Sequence, residues 1–322
     1  MVYPTRIASI RASLLILTIG VLLAACQQNS TPTPPLDSGI PTKSVDHAMG
    51  TTEVPVSPQR VIVLDTTPLD AAIALGIEPV GTIQYGAPPG YLKETVENIE
   101  VIGQYNQPNL ETILRLEPDL ILGAKSISAQ LYPQLSQIAP TVFIEGAGQS
   151  WDWQNNFRLF AEALGESQQA EQLLAEYQQQ LEALTEAIDQ PPETISVSVV
   201  SSTQQGLVAP TLSSFAGSIL KDVGFKRNSA QAIDDQFFVI LSDENLAGIE
   251  GDMLFLIHNP EWENTPKDEF ISDPLWSQLD VVKAGAVCEV AGDVWNSGRS
   301  LLSAQQILQD IETCLDATSP EA

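Results

Sequence analysis

Between Gly165 and the pair Pro191-Pro192 runs a stretch without a single helix breaker, and its apolar spacing predicts one long helix from Glu166 to Ile188. Leu173, Tyr177, Leu181, Leu184 and Ile188 follow one another at four, four, three and four residues, which lays them along one face of a 3.6-residue repeat. At 1.5 Å per residue such a helix reaches roughly 35 Å, about the width of a small domain. Strand and helix signals alternate on both sides of it. A chain built this way reads as two α/β lobes with a helical spine between them.

Two matching segments flank the spine. Asn109-Leu110-Glu111 opens a short helix that leads through Glu117-Pro118 into the apolar strand from Asp119 to Leu122. Ser242-Asp243-Glu244 opens another, leading into a strand from Asp252 to Phe255, and the Glu-to-Asp spacing is eight in both. Each copy reads as a capped helical turn feeding a buried strand that begins with Asp. Before the spine, Arg60 to Asp65 predicts a buried strand, and Thr66-Thr67-Pro68 starts a helix that Gly76 closes. A second strand follows from Pro79 to Ile83, giving βαβ punctuation. After the spine come a strand from Thr194 to Val200 with alternating serines, a helix from Ser213 to Val223 ended by Gly224, a strand from Ala286 to Val290, and a closing helix from Leu301 to about Leu315.

The leader sets the compartment. Arg6 and Arg11 precede an apolar run, Leu14 to Leu23, too short to span a bilayer comfortably. The run ends in Leu23-Ala24-Ala25-Cys26, which resembles the lipobox of bacterial lipoproteins; an ordinary secretory signal is the alternative. The resemblance implies cleavage before Cys26 and a lipid on that cysteine, an anchor at the outer face of the cell membrane that does not span it. Without residues 1–25, 12 basic residues would face 41 acidic ones, a formal charge of −29. That surface repels nucleic acid and anionic lipid headgroups. The expected division is leader 1–25, lipidated cysteine and Pro-rich tether 26–43, N-terminal lobe 44–165, connecting helix 166–190 and C-terminal lobe 191–322. An exported protein permits a bridge between the remaining Cys288 and Cys314, with two small buried thiols as the other reading.

Several phrases together resemble the substrate-binding proteins of iron-siderophore ABC importers, the class III periplasmic binding proteins that include ferric-siderophore and cobalamin receptors. They are His47-Ala-Met-Gly-Thr-Thr-Glu-Val-Pro55, Pro58-Gln-Arg-Val-Ile-Val63, Ala74-Leu-Gly-Ile-Glu-Pro-Val-Gly81, Glu117-Pro-Asp-Leu-Ile-Leu122, Leu241-Ser-Asp-Glu-Asn-Leu246 and Asp273-Pro-Leu-Trp-Ser-Gln-Leu279. The resemblance implies two Rossmann-like lobes, each a mainly parallel sheet flanked by helices, joined by one long helix with a ligand cleft between them. It implies a monomeric receptor, not an enzyme, that hands a ferric siderophore to a permease with its cytoplasmic ATPase. Glu111 and Glu244 occupy the positions that dock such receptors on permease arginines; as first-turn helix residues they also complement a helix dipole.

A ferric siderophore brings its iron already enclosed, so its receptor needs aromatic faces and a few cations and no metal ligands or cofactor of its own. Lys125, Arg227 and Arg299 fall in predicted loops at strand ends, with Arg227 favoured, whereas Arg115 and Arg158 lie on helices. Tyr85, Tyr105, Trp262 and Trp295 are the candidate walls, while Trp151, Trp153 and Trp276 at helix starts read as packing. Tyr105 stands where hydroxamate-binding relatives carry an arginine. Cobalamin and haem receptors share these needs. A zinc or manganese receptor would need more than His47 and His258. A serine hydrolase would rest on Ser218-Ile-Leu-Lys221 alone, with neither Lys-Thr-Gly nor Ser-Asp-Asn to complete it.

Overall fold

The computed structural model describes residues 41–84, 89–105, 107–146, 152–203, 206–241, 246–258 and 267–318. Ahead of the spine lie β1 (Thr42–His47), β2 (Gly50–Pro55), β3 (Val61–Val63), β4 (Gly81–Gln84), β5 (Glu100–Gln104), β6 (Gln107–Pro108), β7 (Leu120–Ala124) and β8 (Thr141–Ile144). β1 and β2 form an antiparallel hairpin, and the other six make one sheet in the order β6-β5-β4-β3-β7-β8. Every pairing in that sheet is parallel except β5 with β6. Val61-Ile62-Val63 and Leu120 to Ala124 are buried along their whole length, as strands of a parallel sheet covered on both faces must be.

Beyond the spine come β9 (Ser196–Thr203), β10 (Gly206–Pro210), β11 (Lys226–Arg227), β12 (Phe238–Leu241), β13 (Met253–His258) and β14 (Val287–Ala291). Their order is β12-β10-β9-β13-β14, with β11 also on β9. β11, β13 and β14 run parallel to the β9 core, while β10 and β12 are antiparallel additions at one edge. The alternating serines of β9 serve this sheet: buried Ser198 donates its hydroxyl to the Glu250 carbonyl at 2.8 Å.

The two segments matched by sequence do the same job in each lobe. Asp119, just before β7, accepts the N–H groups of Gln59 and Arg60 at 2.7 and 2.9 Å, ahead of the neighbouring β3. Asp252, just before β13, accepts the N–H of Ser196 at 2.7 Å, which begins the neighbouring β9. A carboxylate at the amino end of one strand therefore satisfies the donors at the start of the next, and this explains the constant spacing.

Six helices matter for the site: α1 (Thr66–Ala74), α2 (Leu110–Arg115), α3 (Trp153–Leu164), α4 (Ser167–Ala187), α5 (Phe215–Val223) and α6 (Leu301–Thr318). The spine α4 matches the sequence reading within a residue at each end. Its buried face is Ala170, Leu174, Tyr177, Leu181 and Leu184, so Leu174 takes the place expected for Leu173, and Ile188 is only half-buried. Upstream, Gly165 turns the chain from α3 into α4 at φ +87°. A Cβ there would strike the Val56 carbonyl, so the turn needs glycine.

The lobes share a core. Trp153 of α3 packs edge-on against Tyr177 of the spine (5.1 Å, 85°) and Phe215 of α5 (6.0 Å, 78°), and all three rings are buried. Losing the indole would cost about 3–5 kcal/mol through the cavity it leaves. The closing helix α6 then reaches back across the lobes. Buried Asp70 of α1 accepts the N–H groups of Leu302 and Ser303 in its first turn, both at 3.0 Å, and the Tyr91 hydroxyl at 3.1 Å. Cys288 of β14 and Cys314 of α6 are joined in a disulfide, their Cα atoms 5.8 Å apart. Among the described residues no helix is long and apolar enough to cross a membrane.

Candidate ligand cleft

In open α/β sheets the ligand site forms beyond the carboxyl ends of the parallel strands, where the chain turns away to either face. Here two such ends meet. Thr66, just after β3, donates its hydroxyl to the Ser297 carbonyl, after β14, at 3.0 Å. The Gly90 N–H, in the connection that follows β4, donates to the Asp293 carboxylate of the same C-terminal turn. On the C-terminal side of this junction lies a cavity of about 280 Å³, lined among others by Ser201, Thr203, Phe237, Phe238, Trp295 and Arg299. On the N-terminal side a smaller one of about 80 Å³ is lined by Asp65, Thr66, Ile83, Gln84 and Pro89. Thr66 lines the smaller cavity and Ser297 the larger, and the hydrogen bond between them joins the two strand ends.

The wall of the larger cavity is held rigidly. Trp295 stacks on Phe255 of β13 (4.6 Å, 29°), and its Nε1 donates to Asp310 of α6 at 2.8 Å. Burial pushes the Asp310 carboxyl above its ordinary range, and the indole hydrogen bond pulls it partly back. Phe237 and Phe238 close the opposite side from the edge strand β12, and both remain exposed, at 41% and 54%. Large apolar side chains held on an edge with that much surface free are unusual in a soluble protein unless something docks on them.

Of the residues expected from sequence, Trp295 and Arg299 line this cavity together. Lys125 opens the turn after β7 and pairs with Glu145, at the end of β8, at 2.7 Å with both side chains substantially exposed. Tyr105 follows β5, packs half-buried against the core of the first sheet, and lines neither cavity. Arg227 departs from its expected place. It lies in β11 beside Val197, near the amino end of β9, and its Nη2 donates to the Pro210 carbonyl at 2.8 Å and to Gln231 at 2.6 Å. Gln231 is itself fixed by the Val199 N–H and the Gly248 carbonyl, both at 2.9 Å. Burial lowers the Arg227 pKa to about 10. The guanidinium braces the second sheet from within and is not presented to the cleft. Tyr85, Trp262, Glu244 and Cys26 lie outside the described residues.

Glu111 sits exposed in the first turn of α2, whose cap Asn109 accepts the Thr112 N–H at 3.0 Å. Arg115 and Arg158 pair with Glu100 and Glu171 on the surface, and Trp153 and Trp276 are packed, as their helical positions suggested. The Ser218 hydroxyl, buried on α5, donates to the Phe215 carbonyl at 2.7 Å, so the Ser-x-x-Lys spacing is ordinary helix geometry. His47 Nδ1 accepts the Phe143 N–H at 3.2 Å and Nε2 lies 2.8 Å from the Thr52 hydroxyl, a structural clasp on the first sheet. Among the described residues no group of three or more His, Cys, Asp or Glu is placed to hold a metal ion.

Sequence reasoning passed over Phe237, Phe238 and Asp70. The aromatic pair follows Asp234-Asp235-Gln236 in a segment with no periodicity, and only its pairing across β10 gives it a face. Asp70 looks like any polar residue on a short helix until α6 arrives from 232 residues further along the chain to be capped by it.

A family model described as periplasmic binding protein matches residues 61–293. A probable siderophore-binding lipoprotein of Bacillus subtilis (strain 168) is 33% identical over 91% of this chain and 94% of its own length. The achromobactin-binding periplasmic protein of Dickeya dadantii (strain 3937) is 29% identical over 79% of this chain and 85% of its own. Among solved structures, Staphylococcus aureus SirA complexed with staphyloferrin B superposes with a TM-score of 0.75 at 30% identity, covering 85% of this chain and 99% of that one.

Proposed function

The chain belongs to the periplasmic binding protein family, and on that footing we propose that its cleft captures a ferric siderophore outside the cytoplasm and delivers it to an ABC importer. It is a solute receptor and not an enzyme. The observation that carries the ligand assignment is the cavity beyond the carboxyl ends of the second sheet, walled by the exposed rings of Phe237 and Phe238, with buried Trp295 at its base and Arg299 at its side. Such a surface suits a bulky chelate that encloses its own metal, since it offers the ring faces of Phe237 and Phe238.

Delivery needs two oriented contacts. Glu111 in the first lobe and Glu244 in the matching segment of the second are the carboxylates that would meet permease arginines, one per lobe, fixing register more than affinity. The shared core and the α6 crossing hold the two lobes together. Cys26 is the site of the lipid anchor after loss of residues 1–25, residues 26–43 are the tether, and the receptor works as a monomer with lobes 44–165 and 191–322 about the helix 166–190.

The test is a titration of the purified chain with ferric hydroxamates, ferric catecholates, ferric citrate, cobalamin and haemin while following tryptophan fluorescence. Saturable quenching by one or more ferric siderophores is expected, and Trp295→Phe should lose most of it. Quenching by cobalamin alone or haemin alone would overturn the assignment.

A further inference from the structure

β14 ends at Ala291, and the turn that follows, Gly292 to Arg299, touches both halves of the cleft. Trp295, Ser297 and Arg299 line the larger cavity. Asp293, in the same turn, accepts the N–H of Gly90. Gly90 belongs to the first lobe, where it opens a single tight helical turn, Gly90–Leu92, in the connection after β4. Pro89, immediately before it, is buried and lines the smaller cavity. One turn of the second lobe therefore walls the larger cavity and also holds a wall of the smaller one.

The held segment is pinned from a second direction. Tyr91 donates its hydroxyl to Asp70 at 3.1 Å, and Asp70 accepts the N–H groups of Leu302 and Ser303, both at 3.0 Å. Two consecutive residues of the first lobe are thus gripped by two carboxylates, and both lines of contact end in the second lobe. Burial first, then the charge of Asp70 and after it that of Asp293, push the Tyr91 pKa well up, so the phenol stays a donor. Leu92 is 1% exposed, and its N–H returns to the Pro89 carbonyl at 2.9 Å, which ties Pro89 to the turn. Position 90 has little room. A Cβ there would lie 3.1 Å from Asp293 Oδ2, so glycine is what lets the carboxylate reach the backbone. Asp293 is half-buried and Gly90 exposed, so their bond can open while both lobes stay folded.

We infer that Asp293 is a positioning residue for ligand retention: by holding Gly90 it keeps the strap Pro89 to Leu92 against the second lobe, and this strap releases before a ligand leaves the cleft. The inference rests on the siderophore-binding reading above. A contact made only while the two lobes are together slows departure of the ligand far more than its arrival.

Two readouts on the purified chain test it. In the unliganded protein, hydrogen exchange of the backbone from Gly90 to Leu92 should speed about tenfold in Asp293→Ala. Asp293→Asn, whose amide oxygen still accepts, should recover much of the protection. The second readout is stopped-flow tryptophan quenching with a ferric tris-hydroxamate, a ferric tris-catecholate and ferric citrate as probes. For each complex that binds, Asp293→Ala should raise the dissociation rate about five- to tenfold and leave association nearly unchanged, with Asp293→Asn between the two. Gly90→Ala, which leaves Asp293 in place but crowds its oxygen, should move both readouts the same way by a smaller factor. Unchanged exchange at Gly90 to Leu92, or an unchanged dissociation rate, would overturn the role of Asp293. If none of the iron complexes quenches and cobalamin does, the siderophore reading falls; the exchange result and the dissociation rate of cobalamin then decide the strap.

Discussion

Replacing Asp70 by alanine removes one carboxylate and breaks the contact by which the first lobe caps the last helix. Asp70 is fully buried and accepts three hydrogen bonds, from the N–H groups of Leu302 and Ser303 and from the Tyr91 hydroxyl. Hydrogen bonds to a charged acceptor contribute about 1.5–3 kcal/mol each, and part of that is returned when burial of the carboxylate is relieved. Two backbone donors at the start of an 18-residue helix would lose their partner. The net loss should fall at about 3–5 kcal/mol, a large share of the roughly 5–15 kcal/mol that holds a typical domain. Urea denaturation followed by far-ultraviolet dichroism measures it directly. A change below about 1 kcal/mol would refute the idea that this cap joins the lobes. Asp70 also carries a pH signature. Burial raises its pKa above the ordinary 3.8, and the hydrogen bonds from Leu302 and Ser303 pull it partly back. The folded state therefore holds this proton more tightly than the unfolded chain does. The resulting stability is full below 3.8 and is lost as pH rises through the folded value. Asp70→Asn cannot titrate, so the stability of the native protein relative to that variant should decline across that window; a constant difference would show that the group is not perturbed.

Three further outcomes are expected. Changing Glu111 and Glu244 together to alanine should abolish uptake in cells while leaving siderophore affinity intact, and undiminished uptake would dismiss the docking role. Tyr177→Phe should leave stability unchanged or raise it by about 0.5–1 kcal/mol, because the buried hydroxyl has no hydrogen-bond partner among the described residues; a loss above about 1 kcal/mol in urea unfolding would contradict this. His47 is held below its ordinary pKa of 6.5 by burial, with Asp46 pulling the other way, so the unfolded chain takes up a proton that the folded one resists. Stability should then fall as pH drops through 6.5 toward the folded value, and His47→Gln should flatten that slope; equal slopes for the two proteins would count against it.

Much of the architecture is written locally. The spine from Ser167 to Ala187 is legible because helix periodicity and its breakers act within a few residues, and the strand-opening Asp119 and Asp252 stand out because their task, capping the neighbouring strand, fixes a spacing. The walls of the cleft are another matter. Trp295 could be singled out as a large amphipathic ring, but its partners Phe255 and Asp310 come from β13 and α6, and no local signal connects them. Arg227 shows the converse: a cation in a short Gly-Phe-Lys-Arg-Asn run looks like a surface ligand hand until β11 pairs with β9 and encloses it. Local patterns determined the elements and their order, since they depend on spacing along the chain. Which side chains face the ligand and which vanish into the core was decided only when the two sheets met at Thr66 and Ser297, because burial is a property of neighbours distant in sequence.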